Sequence, residues 1–145
     1  VVKKIMDLKL RPLVIKDLEF LLEVRNHEST RKYLENDSVF DLEQCTKWFK
    51  ESKPNWYIIL NEDNIKVGYL RTNGYDVGCD IHFDHRRKGY AKKAYQIYLK
   101  DKEYATLWVF KDNFAKKLYE FLGFKETGNT KLIRNKQYIH MEYNK

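Results

Sequence analysis

The chain carries Arg86-Arg87-Lys88-Gly89-Tyr90-Ala91-Lys92 between a stretch with strand alternation and a stretch with helical spacing. A loop so placed can turn successive backbone N–H groups toward one point, and the following helix adds the positive end of its dipole. Gly89 permits close backbone approach to an anion, Ala91 keeps the helix start free of bulk, and four basic side chains attract phosphate. The chemistry this suits is the holding of a pyrophosphate. The run lacks the Gly-x-x-x-x-Gly-Lys-Ser/Thr of a P-loop and the three glycines of a dinucleotide fold. Upstream, Asp76, Gly78, Asp80 and His82 share one face of an alternating stretch, and Val77, Cys79, Ile81 and Phe83 share the other. Asp76, Asp80 and His82 are thus groups able to accept a proton from one strand face, directly or through water.

Periodicity gives the elements that must position these groups. A strand is expected over Leu8 to Val14, then a helix with Asp17 as N-cap and Leu18, Leu21, Leu22 and Arg25 at helical spacing. A short second helix is expected over Ser29 to Leu34. Asp41-Leu42-Glu43-Gln44 resembles a capping box opening a third, whose stripe is Leu42, Cys45, Trp48 and Phe49. The period then switches to two over Trp56–Leu60, Lys66–Thr72 and Tyr75–Phe83, with Asn73-Gly74 as a hairpin signal. A helix from Gly89 to about Lys102, a strand Ala105–Phe110 and a helix Asn113–Leu122 follow, the last stopped by Gly123. Phe124–Thr127 and Gln137–Tyr143 read as closing strands. The order is β-α-α-α-β-β-β-α-β-α-β-β, an α/β fold with a mixed sheet, in one domain spanning 1–145.

The chain has 145 residues and a formal net charge of +7. That excess favours polyanions, phosphorylated cofactors or acidic substrates, and argues against polycationic acceptors. Cys45 and Cys79 are too few for a disulfide framework and lack metal-site spacing, so no metal is expected. The longest apolar run, Trp56–Leu60, is far short of the ~20 residues a bilayer needs. The opening residues lack the apolar stretch of a signal peptide, so a reducing cytoplasm and no membrane partner are expected.

Arg86-Arg87-Lys88-Gly89-Tyr90-Ala91 fits the Arg/Gln-x-x-Gly-x-Gly/Ala signature of the GNAT superfamily of acetyl-CoA-dependent N-acetyltransferases. Asp76-Val77-Gly78 upstream, Asn113 and Leu118-Tyr119-Glu120-Phe121-Leu122-Gly123-Phe124 downstream, and Tyr138-Ile139-His140-Met141-Glu142 near the end extend the resemblance from about Leu8 to Tyr143. The resemblance implies a mostly antiparallel sheet flanked by helices, with a V-shaped cofactor gap between two parallel central strands, Tyr75–Phe83 and Ala105–Phe110. It implies acetyl-CoA as donor, its pantetheine arm against Cys79, Asp80 and Ile81 and its pyrophosphate on Arg87, Lys88, Gly89, Tyr90, Ala91 and Lys92, beside Arg86. Asn113 would meet the pantetheine or the acceptor side, although it stands six residues before Tyr119 where relatives usually have seven, and it also suits an N-cap. Tyr119 is the expected catalytic acid, since a phenol near ~10 can protonate a thiolate whose acid has a pKa near ~8.5. Asp76 ranks first as base and His82 second.

Val24-Arg25-Asn26-His27 resembles the Trp-Arg-Asn stretch of acetyltransferases acting on amino-sugar nucleotides, with Val24 replacing the tryptophan. Arg25 and Asn26 are accordingly candidate acceptor residues. Where acetyltransferases of ribosomal-protein alanine have a glutamate base, this chain has Trp108 or a neighbour, which weakens that reading. The expected function is acetyl transfer to a primary amine of a small metabolite, an amino sugar nucleotide being one, or of a protein, by a monomer or homodimer without specific nucleic-acid binding. The alternatives are a catalytically silent acyl-CoA-binding domain of the same fold and a basic nucleic-acid-binding module. The 21 acidic residues and the lack of any RNA-recognition signature stand against the module.

Overall fold

The computed structural model describes residues 7–145. The elements are β1 (Lys9–Pro12), α1 (Leu18–Arg25), α2 (Glu28–Arg31), α3 (Leu42–Ser52), β2 (Tyr57–Leu60), β3 (Lys66–Asn73), β4 (Asp76–Ile81), α4 (Tyr90–Leu99), β5 (Tyr104–Phe110), α5 (Ala115–Leu122), β6 (Phe124–Ile133) and β7 (Lys136–Asn144). Their order is the one the periodicity predicts. The seven strands form one sheet in the order β1-β2-β3-β4-β5-β7-β6. Every neighbouring pair is antiparallel except β4 and β5, which run parallel at the centre.

Successive strand residues point to opposite faces, and both faces are covered. Ile59, Leu70 and Val77 pack under α4 with Ala94, Tyr95 and Leu99. Ile58 and Tyr69 pack on the other face with Leu18, Leu21 and Cys45 of α1 and α3. No helix among the described residues is long and apolar enough to cross a membrane.

Several boundaries differ from expectation for physical reasons. The second helix is a single turn, because the Lys32 and Leu34 carbonyls accept hydrogen bonds from Lys136 Nζ (3.0 Å) and Tyr138 Oη (3.1 Å). Strand β4 ends at Ile81; the His82 ring accepts the Asp84 N–H (3.0 Å) and opens a 3-10 turn over Phe83–His85. The β3–β4 turn residues are Gly74 and Tyr75, one later than the Asn-Gly reading, with Gly74 at φ 62°. Strand β6 runs well past Thr127, because Gly128 at φ 91° sits in a register irregularity between Glu126 and Thr130 instead of turning the chain. The β6–β7 turn is Arg134-Asn135, both with positive φ. Its basic residues reach back across the sheet: Arg134 pairs with Asp37 (2.6 Å) and also bonds the Glu35 carbonyl, and Lys131 pairs with Glu35 (2.6 Å).

Asp17, expected as an N-cap, makes no capping bond to α1. Its carboxylate is 1% exposed and accepts from both Nη atoms of Arg11 (2.7 and 2.8 Å), from Val14 N (2.9 Å) and from Lys66 Nζ (2.7 Å). It therefore ties β1 and β3 to the entry of α1. Burial alone would raise its pKa, but Arg11, Lys66 and the Val14 N–H outweigh that and hold it well below the carboxylate range. A depressed folded-state pKa stabilises above the unfolded value near ~3.9, and the gain is lost as pH falls below it. Asp17→Asn should cost about 2 kcal/mol at pH 7, since a buried acceptor is lost while its cations stay partly solvated. Melting curves at pH 7 and pH 3 should show the gap to the parent protein shrinking on acidification; an unchanged gap would mean the ion pairs contribute nothing.

Candidate active site

Strands β4 and β5 meet at one residue pair, Asp76 with Thr106. Thr106 N donates to the Tyr75 carbonyl (2.8 Å), and Thr106 Oγ1 donates to the Asp76 carboxylate. Beyond this point the strands part, because β5 is captured along its length by β7, from Tyr104↔Asn144 to Phe110↔Tyr138. The edge of β4 from Gly78 to Ile81 is left without a partner strand on that side. A cavity of about 760 Å³ opens there, large enough for a sizeable organic ligand. Cys79, Asp80 and Ile81 form one wall, Asn113, Leu118 and Tyr119 another, and Arg86, Arg87, Gly89, Tyr90, Ala91 and Lys92 close one end. Lys88 is exposed and lies outside this lining.

Arg87 (φ 62°) and Gly89 (φ 81°) both adopt the left-handed conformation that curls this loop into the start of α4. No side chain caps α4, so the N–H groups of its first turn remain available to an anion. The Arg86 side chain is committed elsewhere. Its Nε donates to the Ile81 carbonyl (3.0 Å), and its Nη atoms donate to Ser29 Oγ (2.6 Å) and Thr30 Oγ1 (2.8 Å). It braces the loop against β4 and α2 rather than offering its charge to the cleft. The chain thus has what a pyrophosphate and an extended pantetheine arm require: a curled loop of free N–H groups and an unpaired strand edge.

Tyr119 stands where the large cavity meets a second one of about 230 Å³, lined also by Glu35, Trp56, Arg71, Asp76 and Trp108. Tyr95 Oη approaches Tyr119 Oη as a long-range donor at 3.5 Å, and the Tyr119 side chain lines both cavities. Burial pushes the Tyr119 pKa up, so the phenol remains a proton donor. Burial, reinforced by Asp80, likewise pushes the Cys79 thiol up and keeps it a poor nucleophile. Asn113 is in the cleft wall, but its Oδ1 accepts from Ala115 N (2.9 Å) at the start of α5.

The structure brings Asp76 and Asp80 to the gap and takes His82 away from it. His82 is buried behind the end of β4; its Nδ1 is an acceptor, so Nε2 carries the proton toward Glu23 Oε1 (3.0 Å). Arg25 and Asn26 are turned to the 32–41 loop. Arg25 donates to the Asn36 (2.7 Å) and Ser38 (2.8 Å) carbonyls, and the Asn26 side chain bonds both the N–H and the carbonyl of Phe40. Sequence reasoning passed over Tyr95, Thr106 and above all Arg71, whose Nε donates to Asp80 Oδ2 (2.9 Å). The signal for Arg71 was Gly78: the two are cross-strand partners, and a Cβ on Gly78 would lie 2.5 Å from an Arg71 Nη.

The model of the acetyltransferase (GNAT) domain matches residues 7–131. A spermidine N-acetyltransferase from Vibrio cholerae, solved with CoA and spermine, superposes with a TM-score of 0.85 at 19% identity, covering 94% of this chain and 95% of that one. An assigned acetyltransferase from Salmonella typhimurium, solved with its cofactor acetyl-CoA, gives 0.71 at 19%, covering 95% and 94%. A protein assigned as a phosphinothricin N-acetyltransferase gives 0.77 at 18%, covering 95% and 98%. A search of the curated proteins found no match. With the family model covering most of its length and the parted strands, curled loop and tyrosine in place, the chain belongs to the GNAT acetyltransferases, whose acyl donor is acetyl-CoA.

Proposed function

We propose that the domain, spanning 1–145, transfers an acetyl group directly to a primary amine, with Tyr119 protonating the departing thiolate. The observation carrying this reading is the Tyr119 hydroxyl at the junction of the two cavities, with Tyr95 donating to it. Acetyl-CoA, when bound, supplies a thioester carbonyl open to attack. The N–H groups from Arg87 to Lys92 hold its pyrophosphate, and the free edge of β4 takes its pantetheine arm as an added strand. Asp76, oriented by Thr106 at the apex of the gap, takes the proton of the amine, directly or through water. Cys79, in the cleft wall, is held as a neutral thiol by burial and is poorly suited to act as a nucleophile, which favours direct transfer. Arg25 and Asn26 serve by shaping the wall of the acceptor side, and His82 serves the fold. The acceptor is an amine of a small metabolite or protein. Cys45 and Cys79 are free thiols, as suits a reducing cytoplasm.

Tyr119→Phe keeps the ring and its packing against Tyr95 and Phe124 while removing the acid. It should bind acetyl-CoA with little change and lose about 10²- to 10⁴-fold in kcat. More than half the parental kcat, at an unchanged melting temperature, would exclude Tyr119 as the acid.

Gly89→Glu places bulk and negative charge at a position whose φ is 81° and whose neighbours should face a pyrophosphate. Acetyl-CoA at millimolar concentration should raise the melting temperature of the parent protein and leave that of the variant unmoved. No shift and no calorimetric heat with the parent protein would contradict the donor site itself.

A further inference from the structure

We propose that the amine acceptor carries an oxyanion, a carboxylate or phosphate close to its amine, and that Arg71 is where this anion docks. The inference rests on the acetyltransferase reading and names its acceptor class.

Arg71 lines both cavities of the site, and its side chain is 37% exposed. Of the five N–H donors of a guanidinium, the one on Nε is taken by Asp80 (2.9 Å). The four on the Nη atoms have no hydrogen-bond partner among the described residues. The guanidinium lies against the bare backbone of Gly78, where an added Cβ would sit 2.6 Å from its Cζ. It is therefore fixed on one side by Asp80, supported from beneath by Gly78, and open on its other nitrogens. Such a fork matches a planar carboxylate or a phosphate, and its fixed orientation lowers the ordering cost of binding.

Two other cations near the acceptor side are engaged. Lys131 pairs with Glu35 (2.6 Å) and lies over the Trp108 ring (4.1 Å), and Arg25 bonds two carbonyls of the 32–41 loop. Nor does Arg71 belong to the pyrophosphate loop. Gly78 lies three residues before the end of β4, roughly 10 Å along the strand, toward the Asp76 apex.

The opposite charge is close by. Asp76 and Glu35 line the same cavity as Arg71, and Asp76 is about 7 Å along the strand from Gly78. An ammonium group near Asp76 and an anion on Arg71 describe a compact zwitterion, with Trp56 and Trp108 flanking its carbon skeleton. A polycation would set a positive charge against the open Nη atoms of Arg71.

The test measures acetyl transfer to paired acceptors that differ only in the anion. One arm compares alanine with its α-carboxamide, and the other compares phosphoethanolamine with ethanolamine; spermidine serves as the polycation. In one arm, which identifies the source of the anion, the charged member should be favoured by about 10- to 100-fold in kcat/KM. Arg71→Gln should abolish the preference and Arg71→Lys should retain part of it, with KM for acetyl-CoA unchanged. If Arg71→Gln fails to fold beside an unpaired Asp80, the Arg71→Gln, Asp80→Asn double variant removes both charges together. Should no acceptor turn over, calorimetry of the CoA-saturated protein with the same panel reads the anion preference as binding. A preference for spermidine, an equal loss with both members of a pair, or no anion-dependent binding would overturn the proposal. Any of these outcomes leaves the acetyltransferase reading intact if acetyl-CoA binds, whereas failure of acetyl-CoA to bind would remove that reading itself.

Discussion

The site depends on two parallel strands that touch at one place. Asp76 and Thr106 hold β4 to β5 through side chain and backbone, and the strands then diverge because each is claimed from its outer side. An unpaired strand edge inside a domain would ordinarily be costly, since its backbone groups need partners. Here it opens onto a cavity where an extended arm can supply them. The same divergence lets Tyr119 of α5 reach the level of the sheet, with Arg71 approaching from β3 across Gly78. One pairing constraint thus sets the cleft, the Tyr119 hydroxyl and the Arg71 guanidinium in relation to one another.

Most of the arginine charge of the chain is architectural. Arg25, Arg31, Arg86 and Arg134 all donate to backbone carbonyls, and Arg11 is paired with Asp17. These guanidiniums replace hydrogen bonds that irregular segments between elements would otherwise leave to water. Net charge therefore overstates the number of cations available to an anionic ligand. Among the groups left facing the cleft are the N–H groups of the Arg87–Lys92 loop and the free Nη atoms of Arg71.

What the sequence revealed depended on how local the cause was. The strand-loop-helix carrying Gly89, the capping box at Asp41 and the stop at Gly123 are written in adjacent residues, and all appear where expected. The element order followed from periodicity because both faces of the sheet are covered by amphipathic helices. Residues whose partners are remote in sequence were harder to place. Asp17 looks like a cap until Arg11 and Lys66 surround it, and Arg25 and Asn26 resemble acceptor ligands until the 32–41 loop folds onto them. His82 keeps the alternation of β4 in sequence, yet its ring takes the Asp84 N–H and leaves the strand face. Arg71 carried no motif at all; its only trace was a glycine on the neighbouring strand.

The tip of the β6–β7 hairpin has a consequence for the order in which the molecule is made. Lys131, Arg134, Lys136 and Tyr138 hold the segment Lys32–Asp37, which forms part of the wall over both cavities. During synthesis that segment emerges about a hundred residues before its anchors, at a rate of roughly 5–20 residues per second. The wall over the cleft therefore has nothing to fasten it until the C-terminal hairpin that also draws β5 away from β4 has been made. One late segment both opens the cleft and holds its side.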